Sequence, residues 1–253
     1  VSVSITAQPG EILREFEVEM LVGTPDLIFV DDDEGEELDK FICNDLDSLE
    51  KVYFHHDLSA IGVSPEADHL IQCGTVVWMT GDAEDPISEA EMTILENAID
   101  GGTNLFIFGQ NLDDELQFYD FYERYLHVET GFGDTHEELV GTDNEGGPER
   151  TDFRLLLNGQ NGTQNSSDPD VIIPLDDAMP LFRYFRSENY GGIYFEDETS
   201  KIVYFAFAFE AISGERSWSS RQEVLTSILD WFNGENDAPD FENQTLPFKF
   251  QML

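Results

Sequence analysis

The sequence predicts an α/β domain, a doubly wound and mostly parallel sheet with helices on both faces. Three observations predict it. The runs DLIFV (26–30), GTVVWMTGD (74–82) and NLFIFGQN (104–111) are apolar at consecutive positions, as strands buried on both faces must be. The segments between them repeat apolar residues at helical spacing. The two kinds of segment alternate in the order β-α-β-β-α-β-α, and that alternation makes parallel sheets.

Each element has its own signal. In residues 1–24, VSVSIT and EFEVEMLV alternate with period two, placing Phe16, Val18 and Met20 on one face. This is a hairpin-like β segment, the expected end of an upstream sandwich domain, and GTPD at 23–26 breaks it. The α/β domain spans 25–234. After the first strand, ELDKFICNDLDSL (37–49) places Leu38, Phe41, Ile42, Leu46 and Leu49 on one helical face, and KVYFHHDL (51–58) follows as a short strand. ISEAEMTILENAIDGG opens with the capping box Ser88-x-x-Glu91 and stops at Gly101, a start and stop that fix a helix. DDELQFYDFYERYL is a helix after the NLFIFGQN strand. Residues 128–190, rich in Gly, Asn, Asp and Ser, read as a loop-rich insertion. GGIYFED and KIVYFAFAFEAI return to strand. SSRQEVLTSILDWFNG closes the domain as a helix, boxed by Ser220 and Glu223 and stopped at Gly234. The remaining 235–253 read as a linker or docked tail.

Composition bounds the function. Twelve Lys and Arg stand against 54 Asp and Glu, a formal charge of −42, and no Lys or Arg occurs between Lys51 and Arg124. Such a surface repels phosphate backbones and anionic lipid, which excludes nucleic acid as a partner. It either attracts cations and basic partners or reflects a saline medium that screens it. No apolar run is long enough to span a membrane. The chain begins at Val1, which marks it as a processed or excised piece. Cys43 and Cys73 have no metal-type spacing and sit among apolar neighbours, and read as two buried thiols rather than a disulfide. Three N-x-S/T sequons, at Asn161, Asn165 and Asn243, hint at export.

Ligands of open α/β sheets bind beyond the carboxyl ends of the strands. Those ends carry Asp31-Asp32-Asp33, Gly81-Asp82, Gly109-Gln110-Asn111 and Glu210. The stretch FVDDDEGEE sets six carboxylates between Asp31 and Glu37. Asp31, Asp32, Asp33 and Asp82 offer hard oxygens suited to calcium or magnesium. The competing reading is a solvated turn whose acids favour the following helix N-terminus. Gln110, Asn111 and Glu210 are candidate ligand-binding residues. A phosphoacceptor receiver begins in the same way but needs a Ser or Thr and a Lys at later strand ends, and both are missing. A thiol nucleophile fails at the elbow, where Gly109, Gln110 and Asn111 stand and no histidine follows the last strand. His55 and His56 end the second strand and read as surface or satisfied histidines. Exposed aromatics such as Tyr190 and Trp218 would suit sugar stacking.

Taken in order, VDDDEG, VVWMTGD, GG-NLFIFGQN and KIVYFAFAFEAI with SRQEVLTSILDWF resemble glutamine-amidotransferase-like, flavodoxin-type domains of large secreted or cell-surface bacterial proteins. The resemblance covers about 26–128 and 190–234. It implies export, a modular parent, neighbouring domains or self-assembly as partners, and a degenerate edge without the catalytic Cys–His pair. The chain is accordingly expected to be a non-catalytic structural or interaction module. Two alternatives stand beside that expectation. One is a cation-dependent hydrolase acting at the strand-end crevice through Asp31, Asp32, Asp82 and Glu210. The other is a carbohydrate- or peptide-binding module using Gln110, Asn111 and aromatics of the 128–190 region.

Overall fold

A computed structural model describes residues 23–83, 86–144, 146–148, 152–215 and 217–234, with the strands β1 (Ser2–Ser4) and β2 (Glu17–Glu19). These two strands pair antiparallel, Ser2 opposite Glu19. The expected apolar partners Phe16 and Met20, and the tail at 235–253, lie outside the described residues.

The chain then lays down β3 (Leu27–Asp31), α1 (Asp39–Ser48), β4 (Phe54–Asp57), α2 (Leu58–Ile61), α3 (Ala67–Cys73), β5 (Thr75–Gly81), α4 (Glu89–Asp100) and β6 (Asn104–Gly109). Short helices α5 (Leu112–Leu116) and α6 (Asp120–Arg124) follow. The strands β7 (Val128–Thr130), β8 (Glu138–Gly141), β9 (Arg154–Leu156), β10 (Ile172–Pro174), β11 (Met179–Tyr184), β12 (Tyr190–Glu196) and β13 (Lys201–Phe205) come next. A 3₁₀ turn at Phe209–Ala211 and α7 (Arg221–Phe232) complete the described chain.

One mixed sheet of eleven strands results, with the order β4-β3-β5-β6-β13-β12-β11-β8-β9 and with β10 joining β12 to β7. Six of its pairings are antiparallel and four parallel. This overturns the expected doubly wound, mostly parallel fold, and with it the flavodoxin-type part of the resemblance. The cause lies in residues 128–190. They are no insertion: β7 to β11 extend the main sheet antiparallel from β12. These strands are three to six residues long and only partly buried. They therefore lack the continuous apolar runs that betray fully buried strands.

The elements that position the site follow from simple alternation. In β3, Leu27 and Phe29 face one core with Ile42 and Leu46 of α1 and Val224, Leu225 and Ile228 of α7. Ile28 and Val30 face the other, with Leu70 of α3 and Met92 and Leu95 of α4. Period-two side chains thus serve two layers from each strand. Both capping boxes form: Ser88 and Ser220 accept from the Glu91 and Glu223 amides, and both glutamates reach back. Cys43 and Cys73 are free thiols. No helix among the described residues is long and apolar enough to cross a membrane.

After β13 the strand expected to run through FAFEAI ends early. Phe205 and Phe207 stack at 4.9 Å, and Phe209 meets Phe106 and Phe108 at 5.1 Å. Each fully buried phenyl ring contributes about 1.5–3 kcal/mol, enough to pull this segment off the sheet line and into the core. Glu210, between buried Phe209 and Ala211, is carried inward with them.

Candidate functional site

Four strand-end clusters do lie along one edge, with Asp31 and Asp33 meeting on one face and Asp32 turned to the other. Asp31 ends β3 and Asp32 follows it, and the two side chains turn to opposite faces of the sheet. Asp31 is 4% exposed and turns toward His55 of β4, with Oδ2 3.9 Å from His55 Nε2. Asp32 accepts from Trp78 Nε1 at 3.1 Å on the α4 face. Burial and the nearby Glu91 push its pKa up to about 8. Asp33 closes its own turn, accepting from the Gly35 amide at 3.0 Å and the Leu38 amide at 3.3 Å. Burial, then the charge of Asp31, raise Asp33 to about 7. Gly81 has φ +60°, and a Cβ there would stand 3.0 Å from the Asp33 Cβ, so this close approach needs glycine. Asp82 is half-buried beside Glu36, whose pKa their hydrogen bond raises. Asn111 is half-buried at φ 60° and heads α5.

Gln110 and Glu210 are brought together, through a loop. Both are fully buried. The Gln110 side chain donates to the Asn165 carbonyl at 2.6 Å and accepts from the Asp168 amide at 2.8 Å. Asn165 donates to Glu210 Oε1 at 2.6 Å. Glu210 Oε2 is buried without a hydrogen-bond partner. Burial lifts Glu210 to about 7, against the opposing effect of the Asn165 hydrogen bond. The loop itself is pinned at both ends. Asn158 accepts from the Ser166 amide at 3.0 Å and donates to the Ser166 carbonyl at 2.6 Å. A Cβ at Gly162 would lie 2.1 Å from the Ala211 carbonyl oxygen, so only glycine lets the loop press this close. Of the described sequons, Asn161 is exposed, whereas the Asn165 amide is committed to Glu210.

Arg221 fastens the same corner from beneath. Its Nε donates to Asp45 of α1, Nη1 to the Glu210 carbonyl at 3.0 Å and Nη2 to the Phe41 carbonyl at 3.4 Å. Loop 158–168, the 3₁₀ turn, α7 and α1 are thereby tied into one polar network. Chemically, this arrangement seats a loop on a strand-end edge. Tyr190 and Trp218 are half-buried, while Phe118 and Phe132 are the most solvent-open aromatics among the described residues.

Two constellations escape a reading of the sequence. Asp113 and Asp170 share a hydrogen bond near Tyr122 and Tyr204, and burial and the charge of Asp113 raise Asp170 to about 9. Asp39, Cys43 and His55 each offer a ligand atom within 4.8 Å of the others, the one metal-type set of three among the described residues. The second had a partial signal, because Asp39 and Cys43 are one helical turn apart. A cavity of about 490 Å³ lies at the opposite edge, lined among others by Asp26, Leu27, Lys51 and Thr75.

No family model and no curated protein matches the chain. Solved structures do. The mmIFT52 N-terminal domain matches at TM-score 0.56 and 12% identity, over 82% of this chain and 97% of that one. Alpha-L-fucosidase isoenzyme 2 from Paenibacillus thiaminolyticus matches at TM-score 0.55 and 13% identity, over 85% of this chain and 34% of that one. At such identities the likeness is one of fold. The chain spans about a third of the fucosidase it resembles.

Proposed function

We propose that this chain is a non-catalytic interaction module of a larger secreted or cell-surface protein. The observation that carries the proposal is the seating of loop 158–168 on Gln110 and Glu210. An open crevice is what substrate access requires, and here two fully buried polar side chains of the edge, Gln110 and Glu210, hold a loop. A second observation agrees. Asp31 and Asp32 face away from each other across the sheet, and Asp33, which meets Asp31, is tied into its own turn by the Gly35 and Leu38 amides. The matched solved structures support the modular part of this reading: one is an N-terminal domain, and the other matches over 34% of a longer enzyme. The net charge of −42 favours a basic partner surface or a salt-screened medium.

The test is turnover of activated esters, glycosides and phosphate esters by the wild-type chain and by Glu210→Gln, with calcium and magnesium supplied. The proposal expects no turnover that depends on Glu210 or on the added cation. Hydrolysis abolished by Glu210→Gln at unchanged thermal stability would establish the hydrolase instead.

A further inference from the structure

We infer that Asp39, Cys43 and His55 form a binding site for a borderline transition metal, Zn²⁺ by preference, backed by Asp31 at the end of β3. The site is built by register. Asp39 and Cys43 lie four residues apart on α1, so their side chains share a face one turn apart. His55 stands opposite Phe29 in the parallel β3–β4 pair, on the sheet face that α1 covers. Its ring stacks on Phe29, centroids 5.1 Å apart and planes within 12°, so the imidazole is already oriented.

The three ligand atoms lie within 4.8 Å of one another, slightly wider than a tetrahedral ion would hold them. Zinc bonds of about 2.0–2.3 Å at tetrahedral angles set ligand atoms about 3.3–3.7 Å apart. Cys43 Sγ lies 3.9 Å from His55 Nδ1, and Asp39 Oδ2 lies 3.7 Å from His55 Nε2. The two spacings run to different ring nitrogens, so the Asp39 and His55 side chains, 27% and 31% exposed, would rotate to bring one carboxylate oxygen to the Nδ1 side beside the thiolate. With the metal on Nδ1, the nitrogen facing the thiol, Nε2–H turns to Asp31. Asp31 is 96% buried by its 4% exposure, and its Oδ1 has no hydrogen-bond partner. A buried carboxylate behind a ligating histidine is the usual outer partner in such sites.

The donor set selects the metal. A thiolate and an imidazole favour zinc or cobalt over calcium or magnesium, which prefer oxygen alone. Three protein ligands leave a fourth position for water or an external ligand. The same Sγ–imidazole pair is not arranged as a nucleophile. Cys43 lies mid-helix, where backbone N–H groups are bound in the helix ladder, so no free donor pair flanks it to receive an oxyanion.

The test is a Co²⁺ titration of the reduced, chelator-treated chain, followed by Zn²⁺. One equivalent should raise a thiolate-to-cobalt charge-transfer band with intense tetrahedral d–d absorption, and one equivalent of Zn²⁺ should bleach both. Cys43→Ser should abolish the charge-transfer band, Cys73→Ser should leave it, and Asp31→Asn should weaken binding roughly 10–100-fold. Asp39→Asn changes a partly exposed helix position and should weaken binding in a chain whose near-ultraviolet circular dichroism is unchanged. Zn²⁺ should also protect Cys43 from iodoacetamide. The inference is overturned by weak octahedral spectra that no substitution alters, by a band that follows Cys73, or by alkylation of Cys43 at one rate with and without Zn²⁺.

Discussion

Asn165, on a loop between β9 and β10, donates its side-chain amide to Oε1 of the fully buried Glu210 at 2.6 Å. The contact spans 45 residues of sequence and closes the edge where an open α/β sheet would bind a ligand. It also gives a buried carboxylate one of the few polar partners available to it.

Removing that partner should cost stability. Asn165→Ala leaves Glu210 Oε1 buried without a donor, a loss of about 1–3 kcal/mol. Urea unfolding should show the midpoint falling at constant slope. The loss should be greater at pH 8, where Glu210 is charged, than at pH 5.

Stability should fall as pH rises. Glu210, Asp32 and Asp170 are held at about 7, 8 and 9 in the folded chain, against ordinary carboxyl values of 4.5, 3.8 and 3.8. Between the ordinary and the raised values the folded state carries more protons than the unfolded one. The slope of unfolding free energy with pH is therefore negative across that window. Thermal midpoints in high salt, which screens the general negative charge, should decline steadily from pH 5 toward pH 9. Glu210→Gln should flatten the decline between about pH 4.5 and 7. A midpoint that rises from pH 5 to pH 8 would contradict the raised values.

Arg221 and Asp45 form a pair whose side chains are 11% and 9% exposed. Arg221→Met strands the Asp45 carboxylate and the carbonyls of Glu210 and Phe41. It should destabilise by about 3–5 kcal/mol, whereas the double change Arg221→Met with Asp45→Leu should recover much of the loss. Calorimetric unfolding of the two variants measures the difference.

Ser220→Ala removes the acceptor of the Glu223 amide at the start of α7. The expected cost is about 1 kcal/mol, read as a lower thermal midpoint with unchanged helix content.

How legible the fold was depended on burial. The strands β3, β5 and β6 are apolar on both faces, so their runs stand out, and both capping boxes are local in sequence. The helix α3 is seven residues long and stops at Gly74 with φ 73°, too short to show a period. DDELQFYDFYERYL reads as one helix but breaks between α5 and α6, where Tyr119 takes an extended backbone. The antiparallel half escaped because its strands are short and partly exposed, and their pairing is a tertiary fact. For the site, the divergence of Asp31 and Asp32 follows from period two alone. The meeting of Cys43 with His55 needed the Phe29–His55 register, which no local pattern encodes. Likewise, nothing near Gln110 announces Asn165 and Asp168 as its partners.

The most direct measurement is native-state hydrogen exchange at the Asp168 amide, which donates to Gln110 Oε1 at 2.8 Å. If loop 158–168 closes the strand-end edge, this amide exchanges far more slowly than an open loop amide, and Gln110→Ala removes that protection while the β6 amides keep theirs. Exchange at the unprotected loop rate in the wild-type chain, unchanged by Gln110→Ala, would mean that the edge stands open and that the non-catalytic reading has lost its foundation.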